Sequence, residues 1–165
     1  MGMRMSQGVE WTLHVLLTLT WLDDDEPVAV GRLAAGHDLP APYLNKQLQA
    51  LAKADILESV PGSRGGFRLA RPAASITLMD VVAAIEGTRE AFRCAEIRKQ
   101  GVGADLPSSA FRAPCAISAS MRRAELAWRR ELASRTIADI RAEVDERSPD
   151  AQRLTRSAYD RRPEG

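Results

Sequence analysis

The side chains of this 165-residue chain offer two kinds of chemistry. The first is thiol and metal chemistry. Cys94 and Cys115 stand with 20 residues between them. Two cysteines at that separation make neither a Cys-x-x-Cys pair nor a disulfide framework; in a reducing compartment they serve as core thiols, redox thiols or metal ligands. Glu10 and His14 are i, i+4 neighbours, so a helix would place a carboxylate and an imidazole on one face, a familiar metal-binding spacing. Glu10 also complements the dipole of a helix that begins just before it. The second kind of chemistry lies in Asn45, Lys46, Gln49 and Lys53. Amide side chains can bond adenine at two points, and lysine takes phosphate or guanine.

These residues need elements to position them. The stretch Val28 to Pro72 reads as helix, tight turn, second helix and glycine-tipped β-hairpin, the order of a winged helix-turn-helix. The first helix spans 28–36, with Val30, Leu33 and Ala34 inward. Leu39-Pro40-Ala41-Pro42 forms the turn, with Pro42 at the first position of the next helix, where its missing N–H costs nothing. There Leu44, Leu48 and Leu51 follow i, i+4, i+7 and face a core. Asn45, Lys46, Gln49 and Lys53 fall elsewhere on the circumference, free to reach a major groove. Strands at 56–60 and 67–69 flank a tip that carries Arg64. Arg68 lies on the second strand. An arginine on a flexible wing suits a minor groove or its flanking phosphates.

The remaining elements follow from periodicity. Ser6 caps a helix running to Leu22, with Val9, Leu13, Leu16, Leu17 and Thr20 as its apolar face. An acidic run at Asp23–Glu26, read as a solvated loop, and Pro27 end it. A further helix covers 76–87, started by Ser75 or Thr77 and stopped by Gly87. Residues 88–114 read as a long loop bracketed by the two cysteines. A long helix from Cys115 to Ala133 carries Ile117, Met121, Ala124, Trp128 and Leu132. A second helix from Thr136 continues the stripe through Ile137, Ile140 and Val144, and the pair is expected to dimerise.

The expected fold class is mainly α with a small β-hairpin wing: a winged helix-turn-helix domain plus a long dimerisation helix. Residues 3–87 form the DNA-binding domain, 88–114 the cysteine-bearing loop, 115–145 the dimerisation helices, and 146–165 a flexible tail. A dimer fits this order, because paired recognition helices read palindromic double-stranded DNA.

Hydrophobic residues at 45% and charged residues at 27% suit an ordinary globular chain. The net charge of +1 hides an uneven distribution. Residues 1–27 balance at −4, 28–72 at +3 and the rest at +2, so the basic surplus falls on the proposed reader. No apolar run approaches the ~20 residues of a membrane span. The apolar Leu13–Leu22 stretch lacks a cleavage site, so the expectation is a cytoplasmic protein without membrane association. No Cys-x-x-Cys, phosphate loop or base–nucleophile pair supports an enzyme.

YLNKQLQALAKADIL, GSRGGFRLARP, ITLMDVVAAIEG and the later SRTIADI, in that order and spacing, resemble the bacterial winged helix-turn-helix iron–sulfur regulators that include IscR, NsrR and CymR. That resemblance implies a homodimeric transcription factor. Asp55 stands at a turn where the family usually has glycine. The common cluster-binding pattern has three closely spaced cysteines, and this chain has only Cys94 and Cys115. Gly8 to Trp11, the Gly36-His37-Asp38 region, CAEIR from Cys94 and the Ala-Pro-Cys-Ala-Ile stretch at Cys115 are similar to redox-sensing, RsrR-like members. This implies a [2Fe–2S] cluster at the dimer interface. Cys94 and Cys115 would come from one subunit, Glu10 and His37 from the other, with His14 a competing ligand on geometry. Trp11, beside Glu10, would be placed to report a change there. A DNA-binding regulator with a Cys94/Cys115 thiol–disulfide switch and no cluster is the alternative.

Overall fold

The computed structural model describes residues 5–22 and 25–161. Parts of the acidic run (Asp23 and Asp24), of the first expected domain (residues 3 and 4) and of the expected tail (162–165) lie outside the described residues. The chain forms two units, one made of Thr88–Glu131 and the other of the segments on either side.

The larger unit is built round α1 (Gln7–Leu22). One apolar face was expected, but from Val15 onwards every residue of α1 is buried, while Leu13 is only half-buried. The reason is the number of neighbours: α3 (Ala41–Lys53), α4 (Leu78–Glu86), α6 (Ile137–Arg147), α7 (Ala151–Asp160) and a strand of the wing all pack on it. The buried hydroxyls of Thr12 and Thr20 bond back to the carbonyls of Gly8 (2.8 Å) and Leu17 (2.7 Å), which satisfies them inside the core. Ser6 precedes the helix. Its carbonyl accepts the Val9 N–H at 3.1 Å, and its own N–H donates to the Glu86 carboxylate at 2.7 Å.

The first helix of the reader, α2, runs Val30–Gly36 and does not begin at Val28. Val28 instead exchanges two backbone hydrogen bonds with Phe67, each 2.9 Å, and so acts as a third strand residue for the wing. The wing proper pairs β1 (Leu57–Val60) with β2 (Gly66–Leu69), antiparallel, with Leu57 opposite Leu69. Gly66 must be glycine: its φ is +153°, and a Cβ would run into the Val28 carbonyl.

Pro40 caps α3, which puts Pro42 at the second helical position, one later than expected. Leu44, Leu48 and Leu51 are all fully buried, as the spacing requires. After α3, Asp55 adopts φ +54° and the Ile56 N–H closes onto the Leu51 carbonyl at 3.0 Å. Aspartate is one of the few residues other than glycine that enters this left-handed region readily.

The starts of α4 and α6 meet. Thr77 and Asp80 form one capping box, Thr136 and Asp139 another. The two starts are laced together by Leu78 N–H to the Arg135 carbonyl and Ile137 N–H to the Ile76 carbonyl, each 2.9 Å. Ile137 is 1% exposed and belongs to the main core. Thus α6 packs against α1 through Ile137, whereas Ile140 and Val144, expected to continue the stripe, are half-buried. Residues 148–150 turn the chain, and α7 docks against α1 and α2.

The smaller unit holds short 3-10 turns at 97–99, 101–103 and 108–111, where one continuous loop was expected. It also holds most of α5 (Ala116–Ala133). No residue of α5 is buried, and Ile117 (68%), Met121 (44%) and Leu126 (45%) are exposed. Trp128 is half-buried.

The two faces of α3 predict different responses to truncation. Leu48→Ala should cost about 2–5 kcal/mol of unfolding free energy through the cavity it leaves. Gln49→Ala, one position on but exposed, should stay within about 0.5 kcal/mol. Urea titration of both variants checks the orientation of the helix.

Candidate functional site

The outer face of α3 presents Asn45, Lys46, Gln49 and Lys53, all exposed, above the buried Leu44-Leu48-Leu51 stripe. Lys46 and Lys53 make no side-chain hydrogen bond or ion pair with the described residues, so their charges are available to a partner. Gln49 lies 3.5 Å from the Ser59 hydroxyl on β1, which relates the helix to the wing. Tyr43, at 43% exposed, shares this surface and makes an edge contact with the Trp11 ring (centroids 5.2 Å apart). Its position one residue after Pro42, at the start of the helix, was the signal that could have singled it out.

The two wing arginines differ. Arg64 is exposed at the tip, with no side-chain partner among the described residues. Arg68 is engaged: its Nε meets the Glu58 carboxylate at 2.9 Å and its Nη1 donates to the Asp25 carbonyl at 2.8 Å. The Arg68 bond and charge hold the Glu58 carboxyl below the usual carboxylate range. Arg68 therefore braces the base of the wing, whereas Arg64 leaves its guanidinium open.

A second group of functional side chains gathers where α1 meets the end of α2. Glu10 and His14 are exposed on α1. His37, just after α2, is half-buried, its Nε2 lying 3.2 Å from the Thr18 hydroxyl. The His14 and His37 rings are 6.2 Å apart, so the two candidate imidazoles share one face. Burial first, and the His14 charge second, push His37 below its ordinary imidazole value. This favours the neutral, ligand-competent form. Beside them Glu10 and His14 line an open cleft of about 350 Å³ with Met5, Val9 and Leu13. Trp11 is half-buried against the core and Tyr43.

The thiols belong to the smaller unit. Cys94 is exposed and accepts the Glu96 N–H at 3.4 Å. Cys115 is half-buried immediately before α5. The backbone N–H groups of Ser118 and Ile117, and then the Arg98 charge, hold its thiol below the ordinary value, against burial and Glu96. This is the thiolate-favouring field of a helix start. Arg98 ties the two cysteine segments together. Its Nε pairs with Glu96 at 2.5 Å, its Nη1 and Nη2 donate to the Ala113 carbonyl at 3.2 and 3.3 Å, and it lies 5.7 Å over the Phe111 ring. The Glu96 bond and the negative charges of Glu96, Cys115 and Cys94 all raise its own pKa. Arg98 is the residue that sequence reasoning missed: it stands four positions after Cys94, but its reach to Ala113 depends on the intervening turns.

Among the described residues, no three His, Cys, Asp or Glu side chains of one chain converge to hold a metal ion. The donors divide between the units instead: Cys94 and Cys115 lie in the smaller, and Glu10, His14 and His37 in the larger. The donor chemistry fits a [2Fe–2S] group, which needs four protein positions. Cys115 is biased toward thiolate and His37 toward neutral imidazole, the forms that bind metal. Among the described residues no helix is long and apolar enough to cross a membrane.

Comparison with known proteins agrees with this geometry. The sequence model for the Rrf2 family, described as an iron-dependent transcriptional regulator, matches residues 5–143. The chain is 38% identical over 85 residues to YwgB of Bacillus subtilis, which carries the name of an HTH-type transcriptional regulator. That match covers 52% of this chain and 54% of YwgB, so it spans about half of the relative's length. Two solved structures share the fold. CymR, the global cysteine regulator of B. subtilis, gives a TM-score of 0.63 at 20% identity over 86% of this chain and 98% of CymR. IscR of T. potens gives 0.60 at 21% identity over 89% of this chain and 92% of IscR. The relatives are regulators of transcription and not enzymes, and the chain belongs to the Rrf2 family of iron-dependent transcriptional regulators.

Proposed function

We propose that this DNA-binding regulator works as a homodimer on a palindromic operator and senses redox state through a [2Fe–2S] cluster at the dimer interface. Cys94 and Cys115 of one subunit and Glu10 and His37 of the other would hold it, with His14 the competing imidazole. The observation that carries this reading is the division of donors. Each chain offers two thiols in one unit and a carboxylate and imidazoles in the other, and two donors from each subunit would complete a set of four. When bound, such a cluster supplies a one-electron couple, at a potential that histidine ligation raises.

The chain's own residues account for the rest. Asn45 and Gln49 would read base edges, and Lys46 and Lys53 would take phosphate or guanine. Arg64 would enter the minor groove or meet its phosphates, while Arg68 holds the wing in place and keeps only its free edge for DNA. The uncovered Ile117, Met121 and Leu126 of α5 offer apolar area for a second copy. His37 joins α2 to the turn before α3, so whatever holds its ring also bears on the reading helix. Trp11, packed on Tyr43 beside Glu10, would transmit a shift of α1 to the start of α3.

One observation favours a second reading. Arg98 feels both sulfurs and bonds to the segments of both cysteines. Cys94 and Cys115 would then release two protons and give two electrons to an oxidant as their sulfurs join in a disulfide, with no cluster.

Two experiments test these roles. Lys46→Ala should weaken binding to all sequences alike and lower the salt slope by about one. Asn45→Ala or Gln49→Ala should cost about 1–3 kcal/mol on the preferred operator and relax its sequence preference, read by anisotropy titration. Iron and sulfide analysis separates the sensors. The cluster reading expects a coloured protein with about two irons per cluster, lost in Cys94→Ala and His37→Ala and kept in His14→Ala. A colourless, iron-free product even under anaerobic handling sinks it. An oxidation mass loss of about two hydrogens would then support the disulfide.

A further inference from the structure

The family match ends at residue 143, but the fold continues into α7. This helix is tied to two elements of the reader's framework at once. At one end it completes α1. No basic residue stands in the last turn of α1, whose terminal carbonyls need donors and favour positive charge. Arg156 on α7 donates to the Trp21 carbonyl at 2.7 Å, Gln152 donates there at 3.4 Å, and Arg141 on α6 donates to the Thr20 carbonyl at 2.6 Å. The cap is therefore supplied from a distant part of the chain.

At its other end α7 presses Tyr159 onto α2. The ring is half-buried and packs on the main core. Arg32 of α2 lies over it at 5.5 Å and donates to the Tyr159 carbonyl. The approach to Gly36 is so close that a Cβ there would run into the Tyr159 hydroxyl. That hydroxyl is buried, with no hydrogen-bond partner among the described residues. Gly36 immediately precedes His37, and the same turn leads into the reading helix.

We propose that α7 is a strap that fixes α2 on α1, with Tyr159 as the positioning residue, so that the C-terminal segment sets how firmly the helix-turn-helix is held for DNA. Arg156 anchors the strap on α1, and Tyr159 transmits it to α2. The bonds and ring contacts described for the two fall on α1 and α2. The strap needs no metal and does not depend on how the redox signal is sensed.

Hydrogen–deuterium exchange on the metal-free full chain tests it. Tyr159→Ala should speed exchange of the α2 and turn amides, Leu33 to Leu39, by about tenfold or more while the Leu44–Leu51 amides keep their protection. Tyr159→Phe, which keeps the ring and removes only the hydroxyl, should retain native exchange. If Tyr159→Ala does not fold, Arg156→Ala serves as the milder release and should loosen the same amides. Unchanged α2 exchange in the alanine variants overturns the strap, as does Tyr159→Phe matching Tyr159→Ala. A second arm measures binding to a duplex of the DNA upstream of the chain's own coding region. Tyr159→Ala should lose several-fold affinity that Tyr159→Phe keeps, and equal affinity in wild type and Tyr159→Ala overturns the positioning role. Should wild type fail to bind that duplex, the proposed operator reading falls and the exchange arm alone decides the strap.

Discussion

The constraint on which the structure depends is the burial of α1. From Val15 onwards this helix has no face open to water, so the elements of the larger unit pack on it, directly or through a neighbour. The recognition helix, α4, α6, α7 and the wing strand are placed by that one surface. Burial also creates a polar problem, because a helix end inside a fold must have its carbonyls satisfied. The chain solves it with Arg141 and Arg156, drawn from segments more than a hundred residues away. The same helix carries Glu10 and His14, exposed on its first half, and Thr18, the partner of His37, further along. Core, reader and candidate sensor thus share one element.

That arrangement explains how a small event could matter. His37 is held between Thr18 on α1 and the turn entering α3, with Gly36 backed by Tyr159. A pull on His37 acts on the joint between the two helices of the reader and not on a free loop. The thiol half is built differently. Cys115 is conditioned by the start of α5 and by Arg98, and Arg98 spans from the Cys94 segment to Ala113. Each set of candidate donors is fixed within its own unit, as the proposed sharing of the site between two subunits requires.

Much of the fold was legible in the sequence, for identifiable reasons. Leu44, Leu48 and Leu51 announce α3 because their spacing has a single helical interpretation, and the glycines of the wing tip announce the hairpin. Thr77 and Gly87 bracket α4 with a cap and a stop. Other parts were not legible. Val28 looked like the first residue of a helix because local pattern cannot show that its backbone pairs with Phe67. Ile137 read as part of an outward stripe with Ile140 and Val144, since periodicity reveals an apolar face but not that the core covers Ile137. The tail looked frayed because its charged residues suggest solvent. Arg156 and Tyr159 become structural only when the carbonyl of Trp21 and the backbone of Gly36 are brought to them. The candidate ligands divide the same way: Glu10 with His14 is a local spacing, whereas the approach of His14 to His37 is a tertiary fact. The value of Arg98 came from the turns between the cysteines.

The central claim is that one molecule both reads DNA and changes that reading with its redox state. The most direct measurement is a gel shift on the DNA upstream of its own coding region, with oxidised, reduced and cluster-free protein run side by side. The account predicts that the duplex is shifted, and that apparent affinities in the three states differ by about tenfold or more, in the range of ordinary coupling energies. Equal affinity in all three states, or no shift in any of them, would contradict it.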